Sequence, residues 1–224
     1  MKNLVVILAR KNSKRLKNKN LRILGNRPLI SWTIDFCKKI FDNDNILLST
    51  DCEKIYNLAK KSKIVCPWIR PKYLSTSKAS SEDACIHALN WYEKKFGKVD
   101  SLILMQPTSP FRDITEIKKG INLFYKKKRN VIAISELDKI KFSYSKNDKE
   151  KFIIINNLMY PSKNRKKKLY KINGNFYITS PKKLRKFKEF KAKKSIPLII
   201  NSVKRSMDVD TIEDLNICKK FIRN

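Results

Sequence analysis

The sequence predicts a three-layer α/β/α fold built on a mostly parallel sheet, and three observations predict it. Leu4–Ala9, Ser101–Met105 (apolar from Leu102 on) and Val131–Ile134 are apolar runs of strand length, as expected of strands covered on both faces. Stretches of helical periodicity lie between the runs. Strand and helix alternate at βαβ spacing, which favours parallel pairing through crossover helices.

The elements follow in order. Leu4–Ala9 is the first strand, and its carboxyl end changes abruptly to Arg10, Lys11, Asn12, Ser13, Lys14 and Arg15. Pro28 opens a helix with Leu29, Trp32, Thr33, Phe36 and Ile40 on one face, since proline suits a first turn. Ile46–Ser49 is the second strand, and Thr50 or Asp51 is placed to cap a helix to about Lys61. Ile64–Cys66 reads as a short third strand. Ser80 or Ser81 caps a helix reaching Phe96, with Glu82 and Asp83 in its acidic first turn. Asp113 caps another, ending near Lys127. Gly174–Ile178 returns to the sheet, Pro181 starts a helix, Leu198–Ile200 is a further strand, and a terminal helix runs from Thr211 to Ile222.

The rhythm breaks between Leu137 and Lys171, where strand pieces such as Phe152–Ile155 sit among polar loops and the basic run Lys163–Lys168. Phe142, Tyr144, Leu158, Met159 and Tyr160 carry too much apolar surface for a linker. We read 1–224 as one domain, with 137–171 an insert that packs on a second subunit.

Composition excludes several classes. No apolar run approaches the roughly 20 residues of a membrane helix, so no membrane insertion is expected and cytoplasm is the expected location. The five cysteines are an odd number without any C-x-x-C pair, which favours packed thiols over disulfides or zinc. His87 is the only histidine and lies in a helical pattern, where packing is its expected role. The net charge of +32 would point to nucleic acid. The excess is mostly lysine spread along the chain, however, so a specific nucleic-acid partner is not expected.

Candidate chemistry gathers at strand ends. Ligands in such sheets sit beyond the carboxyl ends of strands, so the cluster after Ala9 reads either as an anion-binding loop or as a solvated basic loop. Four glycines in the whole chain leave neither a G-x-G-x-x-G fingerprint nor a Walker loop. Side-chain cations, with Arg10 and Lys14 suitably placed, would have to replace backbone N–H groups around phosphates. Gln106, Thr108 and Ser109 leave the Ser101–Met105 strand between two prolines and could read a polyhydroxylated ligand. Asp208 and Asp210, two apart on an extended segment, would point to one side and could share a cation. The alternative is Asp210 as a helix N-cap with Asp208 merely solvated.

Together these segments resemble one family, the acylneuraminate cytidylyltransferases. Ile7–Lys14 followed by Lys19-Asn20-Leu21 resembles its signature loop; Arg70-Pro71 with Leu74 and Ala79-Ser80-Ser81 resembles its second segment. Leu104–Pro110 is similar to the third, Asn173–Ile178 to the fourth, and Asp208–Thr211 with Asp214-Leu215 to the fifth. The resemblance implies a Rossmann-like, nucleotide-diphospho-sugar transferase-like fold. It also implies a transferase (EC 2.7.7.-, most specifically 2.7.7.43) coupling CTP to a sialic-acid-like nonulosonic sugar, for cell-surface polysaccharide. By the same resemblance Arg10, Lys14, Lys19 and Asn20 hold the nucleotide, with Arg70, Ser80 and Ser81 near its base. Gln106, Thr108, Ser109, Lys171 and Asn173 contact the sugar, Asp208 and Asp210 bind Mg²⁺, and Arg10, Lys14, Asp208 and Asp210 carry catalysis. Lys11, Arg15 and Lys17 are left as background charge. A homodimer exchanging its insert is implied as well. Arg15 replaces a frequent glycine, Ser77-Lys78 replaces an Asp-Thr pair, and Lys171 replaces a frequent arginine. A cytidylyltransferase for the eight-carbon sugar Kdo and a basic nucleic-acid-binding protein without CTP turnover are the alternatives.

Overall fold

A computed structural model of the chain describes residues 1–137, 152–155, 158–161 and 169–223. Ten strands and six α-helices are described: β1 Asn3–Ala9, β2 Ile23–Leu24, β3 Arg27–Pro28, α1 Leu29–Lys38, β4 Ile46–Thr50, α2 Glu53–Lys61, α3 Ser81–Phe96 and β5 Ser101–Met105. They continue with α4 Ile114–Lys127, β6 Val131–Leu137, β7 Phe152–Ile155, β8 Leu158–Pro161, β9 Leu169–Thr179, α5 Pro181–Phe187, β10 Ile196–Ile199 and α6 Ile212–Arg223. The main sheet runs β10-β6-β9-β5-β1-β4, with the β7–β8 hairpin leaning on β9.

The apolar runs do what their composition demands. Alternate residues of β1 face opposite layers: Val5, Ile7 and Ala9 join one core with Ile30, Ile34 and Cys37 of α1, Ile55 of α2 and Ile117 of α4. Leu4 and Val6 join the other with Cys85, Leu89 and Tyr92 of α3 and Leu184 of α5. Full burial of each such side chain contributes about 1.5–3 kcal/mol, which settles the register of the central strand. All five cysteines are buried thiols, and His87 packs edge-on against Trp68 with ring centroids 4.8 Å apart.

Several local elements differ from those the sequence predicts. The fully buried residues of α1 are Leu29, Ile30, Thr33, Ile34 and Cys37, and Phe36 and, just beyond the helix, Ile40 pack against the same core as expected. Trp32 turns instead toward Phe111, its indole donating to the Leu24 carbonyl at 3.0 Å. Neither Thr50 nor Asp51 caps α2, whose N-cap is Cys52 without a side-chain bond. Asp51 accepts from the Lys11 backbone N–H at 2.7 Å, so it braces the first loop. Ile64–Cys66 contributes only a single bridge, Val65 beside Leu47. Ser80 and Asp113 cap α3 and α4 as expected, each accepting from a first-turn N–H.

The largest departure is β9. It lies between β5 and β6 and runs antiparallel to both, whereas β1 is parallel to β4 and β5, and β6 to β10. Between the pairs Ile132↔Tyr177 and Ile134↔Ile172, one residue of β6 faces the four residues Asn173–Phe176. Such bulges bend a strand and re-aim its side chains, and this one adjoins the candidate site. Most of the expected insert, including Phe142, Tyr144 and Lys163–Lys168, lies outside the described residues.

The bulge also explains Gly120 of α4. A Cβ there would lie 2.8 Å from Cε2 and 3.0 Å from Cζ of the fully buried Phe176. Overpacking typically costs 1–3 kcal/mol, against about 1 kcal/mol gained in helix propensity. Gly120→Ala is therefore expected to lower the denaturant midpoint by about 1 kcal/mol of stability; a raised midpoint would show that the helix is not pressed on β9.

Candidate active site

An open cleft of about 180 Å³ lies at the carboxyl ends of β1 and β5. Arg10, Asn12, Ser13, Lys19 and Asn20 form one wall, Arg70, Ser80 and Ser81 a second, and Gln106 and Thr108 a third. Three segments far apart in sequence are thus brought together. Lys14 is exposed on the loop and does not line the cleft.

The first loop closes without glycine. Asn20, 7% exposed, donates from Nδ2 to the Arg10 carbonyl at 3.0 Å, pinning the two ends of the loop together. Arg10 donates to the Thr76 carbonyl at 2.9 Å, tying the loop to the second wall. Arg70 is 3% exposed; its guanidinium donates to the Ser49 carbonyl and its backbone N–H to the Thr50 carbonyl at 2.6 Å. Burial lowers its pKa, and its Nε has no hydrogen-bond partner among the described residues. Ser80 uses its hydroxyl as the α3 cap, bonded to the Asp83 carboxylate at 2.8 Å and to the Asp83 N–H at 2.9 Å. Its role at the cleft is therefore to set the wall as much as to meet a ligand.

Asp208 and Asp210 lie on an extended segment that makes no ladder. It is held by one backbone bond, Val209 N–H to the Thr108 carbonyl at 2.7 Å, and by the fully buried Val209 side chain. The capping alternative fails for Asp210. The α6 cap is made by Thr211 and Asp214, with the Asp214 carboxylate accepting from the Asp210 and Thr211 N–H groups at 2.9 and 2.8 Å. Asp210 instead accepts from Lys19 Nζ at 2.7 Å and from Arg15. Arg15 is thus not background charge; it pairs across the loop with the acidic segment.

Asp208 is the unusual group. Its Oδ1 is shut off from solvent and has no hydrogen-bond partner among the described residues. Burial pushes its pKa up, and the neighbouring Asp210 adds to the shift. A hydrogen bond from the Thr108 side chain and the charges of Lys19 and Lys171 oppose it. An unpartnered carboxylate oxygen away from water is costly, and a cation is the natural partner for it. Among the described residues no group of three or more His, Cys, Asp or Glu side chains could hold a metal, so a cation here would draw further ligands from a bound anion and water, as Mg²⁺ commonly does.

The remaining candidates sit on β9 beside this segment. Asn173, 1% exposed, donates from Nδ2 to Ser135 Oγ at 2.7 Å and accepts from the Asn175 N–H at 3.0 Å. The fully buried Ser109 donates to the Asn173 carbonyl at 3.3 Å. Asn173 and Ser109 therefore position the site from behind. Lys171 acts on Asp208 through its charge alone.

The model of the family described as "Cytidylyltransferase" matches residues 4–221, which include all five segments of the site. The chain belongs to this cytidylyltransferase family. A CMP-N,N'-diacetyllegionaminic acid synthase of Legionella pneumophila is 31% identical over 99% of this chain and 97% of its own length. An N-acylneuraminate cytidylyltransferase of Escherichia coli is 30% identical over 96% of this chain, which spans 50% of that protein. A solved CMP:2-keto-3-deoxy-manno-octonic acid synthetase complexed with CTP superposes with a TM-score of 0.73 over 100% of this chain and 99% of its own, at 12% identity; it shows the common fold.

Two features of the cytidylyltransferase site escaped the sequence. Gly174 takes φ +75°, and a Cβ on it would lie 2.6 Å from Gln106 Oε1 and 3.8 Å from Asp208 Oδ2. Its lack of a side chain makes room for the Gln106 amide. The other is Arg112, whose guanidinium is enclosed by backbone carbonyls below the third wall. Its position two residues after Pro110 was the available signal, masked by a chain rich in exposed cations.

Proposed function

We propose that this cytidylyltransferase couples CTP to a nonulosonic acid, giving a CMP-sugar and pyrophosphate. The observation that carries the reading is the solvent-excluded Asp208 Oδ1, without a hydrogen-bond partner among the described residues, set beside a cleft whose first wall presents Arg10 and Lys19. An acceptor left without a donor beside phosphate-binding cations calls for a cation brought in with a polyphosphate.

In this reading Arg10, Lys19 and Asn20 hold the triphosphate, with Lys14 reaching it from the rim, and Arg70, Ser80 and Ser81 bound the base. Gln106 and Thr108 receive the sugar, supported by Ser109, Asn173 and the charge of Lys171. The sugar's anomeric oxygen forms a bond to the α-phosphorus, the bond from that phosphorus to the bridging oxygen of pyrophosphate breaks, and the hydroxyl proton passes to solvent. Catalysis of this kind rests on positioning and charge neutralisation. Asp208 and Asp210 would hold Mg²⁺, which when bound offsets negative charge on the phosphates. Asp210 is held meanwhile by Lys19 and Arg15. Activity as an N-acylneuraminate cytidylyltransferase (EC 2.7.7.43) is the specific form proposed, in a homodimer whose contact includes the 137–171 insert.

Pyrophosphate release from CTP, with magnesium present, tests the reading across N-acetylneuraminic, legionaminic and pseudaminic acids and Kdo. One of the nine-carbon acids is expected to exceed Kdo by at least about 10²-fold in kcat/KM. Release with Kdo alone, or with none of the four, overturns it.

A further inference from the structure

We infer that Arg112 is a positioning residue that sets the sugar side of the site and makes no bond to the walls that take the nucleotide. The inference rests on the assignment of Gln106 and Thr108 to the sugar.

Pro107 and Pro110 have no backbone N–H, so the strand-exit turn loses two of the donors that would ordinarily organise it. The Gln106 and Ser109 carbonyls immediately precede these prolines. One side chain gathers both: Arg112 donates from Nη2 to the Gln106 carbonyl at 2.6 Å and from Nη1 to the Ser109 carbonyl. Its Nε donates to the Asn175 carbonyl at 3.0 Å, inside the β9 bulge where ladder pairing is interrupted. A further bond from Nη1 to Thr33 Oγ1, at 2.9 Å, anchors the guanidinium on α1.

The planar fork thus joins two irregular pieces of backbone that each carry sugar-side groups. On one side are Gln106, Thr108 and Ser109; on the other, Asn173 and Gly174. Thr108 in turn holds the Asp208 segment through its carbonyl. No acidic side chain forms an ion pair with Arg112 among the described residues, and burial pushes its pKa down to about 10. Carbonyl dipoles, with the Asp208 charge acting from beyond ion-pair distance, fill the place of a counter-ion, and a lysine cannot span the carbonyls because its three donors sit on one nitrogen rather than on a planar fork. The nucleotide walls, built on the first loop and on Arg70 and α3, receive none of these bonds.

The test is steady-state kinetics of Arg112→Lys and Thr33→Val with CTP and whichever of the three nine-carbon acids the wild type uses best. Thr33 is fully buried and distant in role from the cleft, so its isosteric change loosens the guanidinium without removing it. For Arg112→Lys, KM for the sugar is expected to rise about tenfold or more while KM for CTP stays within about twofold. Thr33→Val should move the sugar KM in the same direction by about two- to threefold. A merely structural role would instead lower the thermal midpoint and the active fraction with both KM values unchanged. Equal rises in the two KM values, or no rise in a folded Arg112→Lys protein, overturn the inference. A wild type using none of the three acids overturns the functional reading and this inference with it.

Discussion

Asp208→Asn is expected to slow sugar activation by about 10²–10³-fold while leaving the protein as stable as before or more so. The carboxylate is the natural anchor for a cation, and loss of a charge-stabilising group of this kind costs about 10²–10³-fold in kcat. The same group is a liability to the fold without a cation, because its Oδ1 is desolvated and has no hydrogen-bond partner among the described residues. Asparagine removes the charge and keeps the shape, for a gain of about 1 kcal/mol, or about 2–4 °C in Tm for a chain of this size. The pH dependence follows from the raised pKa. The folded carboxyl holds its proton more tightly than the unfolded one. Its stabilising contribution is therefore complete below the ordinary carboxylate range and is lost as pH rises through the raised value. Thermal unfolding with EDTA should show the variant's advantage at neutral pH shrinking in acid. A constant difference, or a variant less stable than wild type at neutral pH, would refute this account of Asp208.

Gly174→Ala is the second large effect. Alanine at φ +75° carries a left-handed backbone penalty of about 1–2 kcal/mol, and its Cβ would meet Gln106 Oε1 at 2.6 Å. The Gln106 amide is the far end of a flexible side chain, so it would swing away rather than unfold the strand. Sugar recognition then suffers more than stability: KM for the sugar should rise about tenfold or more, with KM for CTP nearly unchanged. An unchanged sugar KM in the folded variant would mean that Gln106 does not meet the sugar.

The layers of the fold were legible because β1, β4 and β5 are covered on both faces, and their composition reports that directly. The caps at Ser80 and Asp113 were legible because capping is a local bond. The direction of β9 was not, since an apolar run reads the same in parallel and antiparallel pairing. The β2–β3 hairpin left its mark in the Gly25-Asn26 pair, a known turn signal, on strands of only two residues each. At the site, charge and spacing marked Arg10, Lys19, Gln106 and the two aspartates. Arg15 and Arg112 differ from the many exposed cations only in their long-range partners, Asp210 and the carbonyls of the β5 exit and β9. No local pattern encodes such partners. Lys14 shares with Arg10 the loop that resembles the family's signature, yet it is exposed and does not line the cleft.

The central claim is the joining of CMP to a nonulosonic acid, and ³¹P NMR of the enzyme with CTP, magnesium and the acid observes it directly. The triphosphate signals should give way to pyrophosphate and one new phosphodiester resonance in equal amounts, both dependent on the sugar. Triphosphate signals that persist, or that yield free CMP without a phosphodiester, would contradict it.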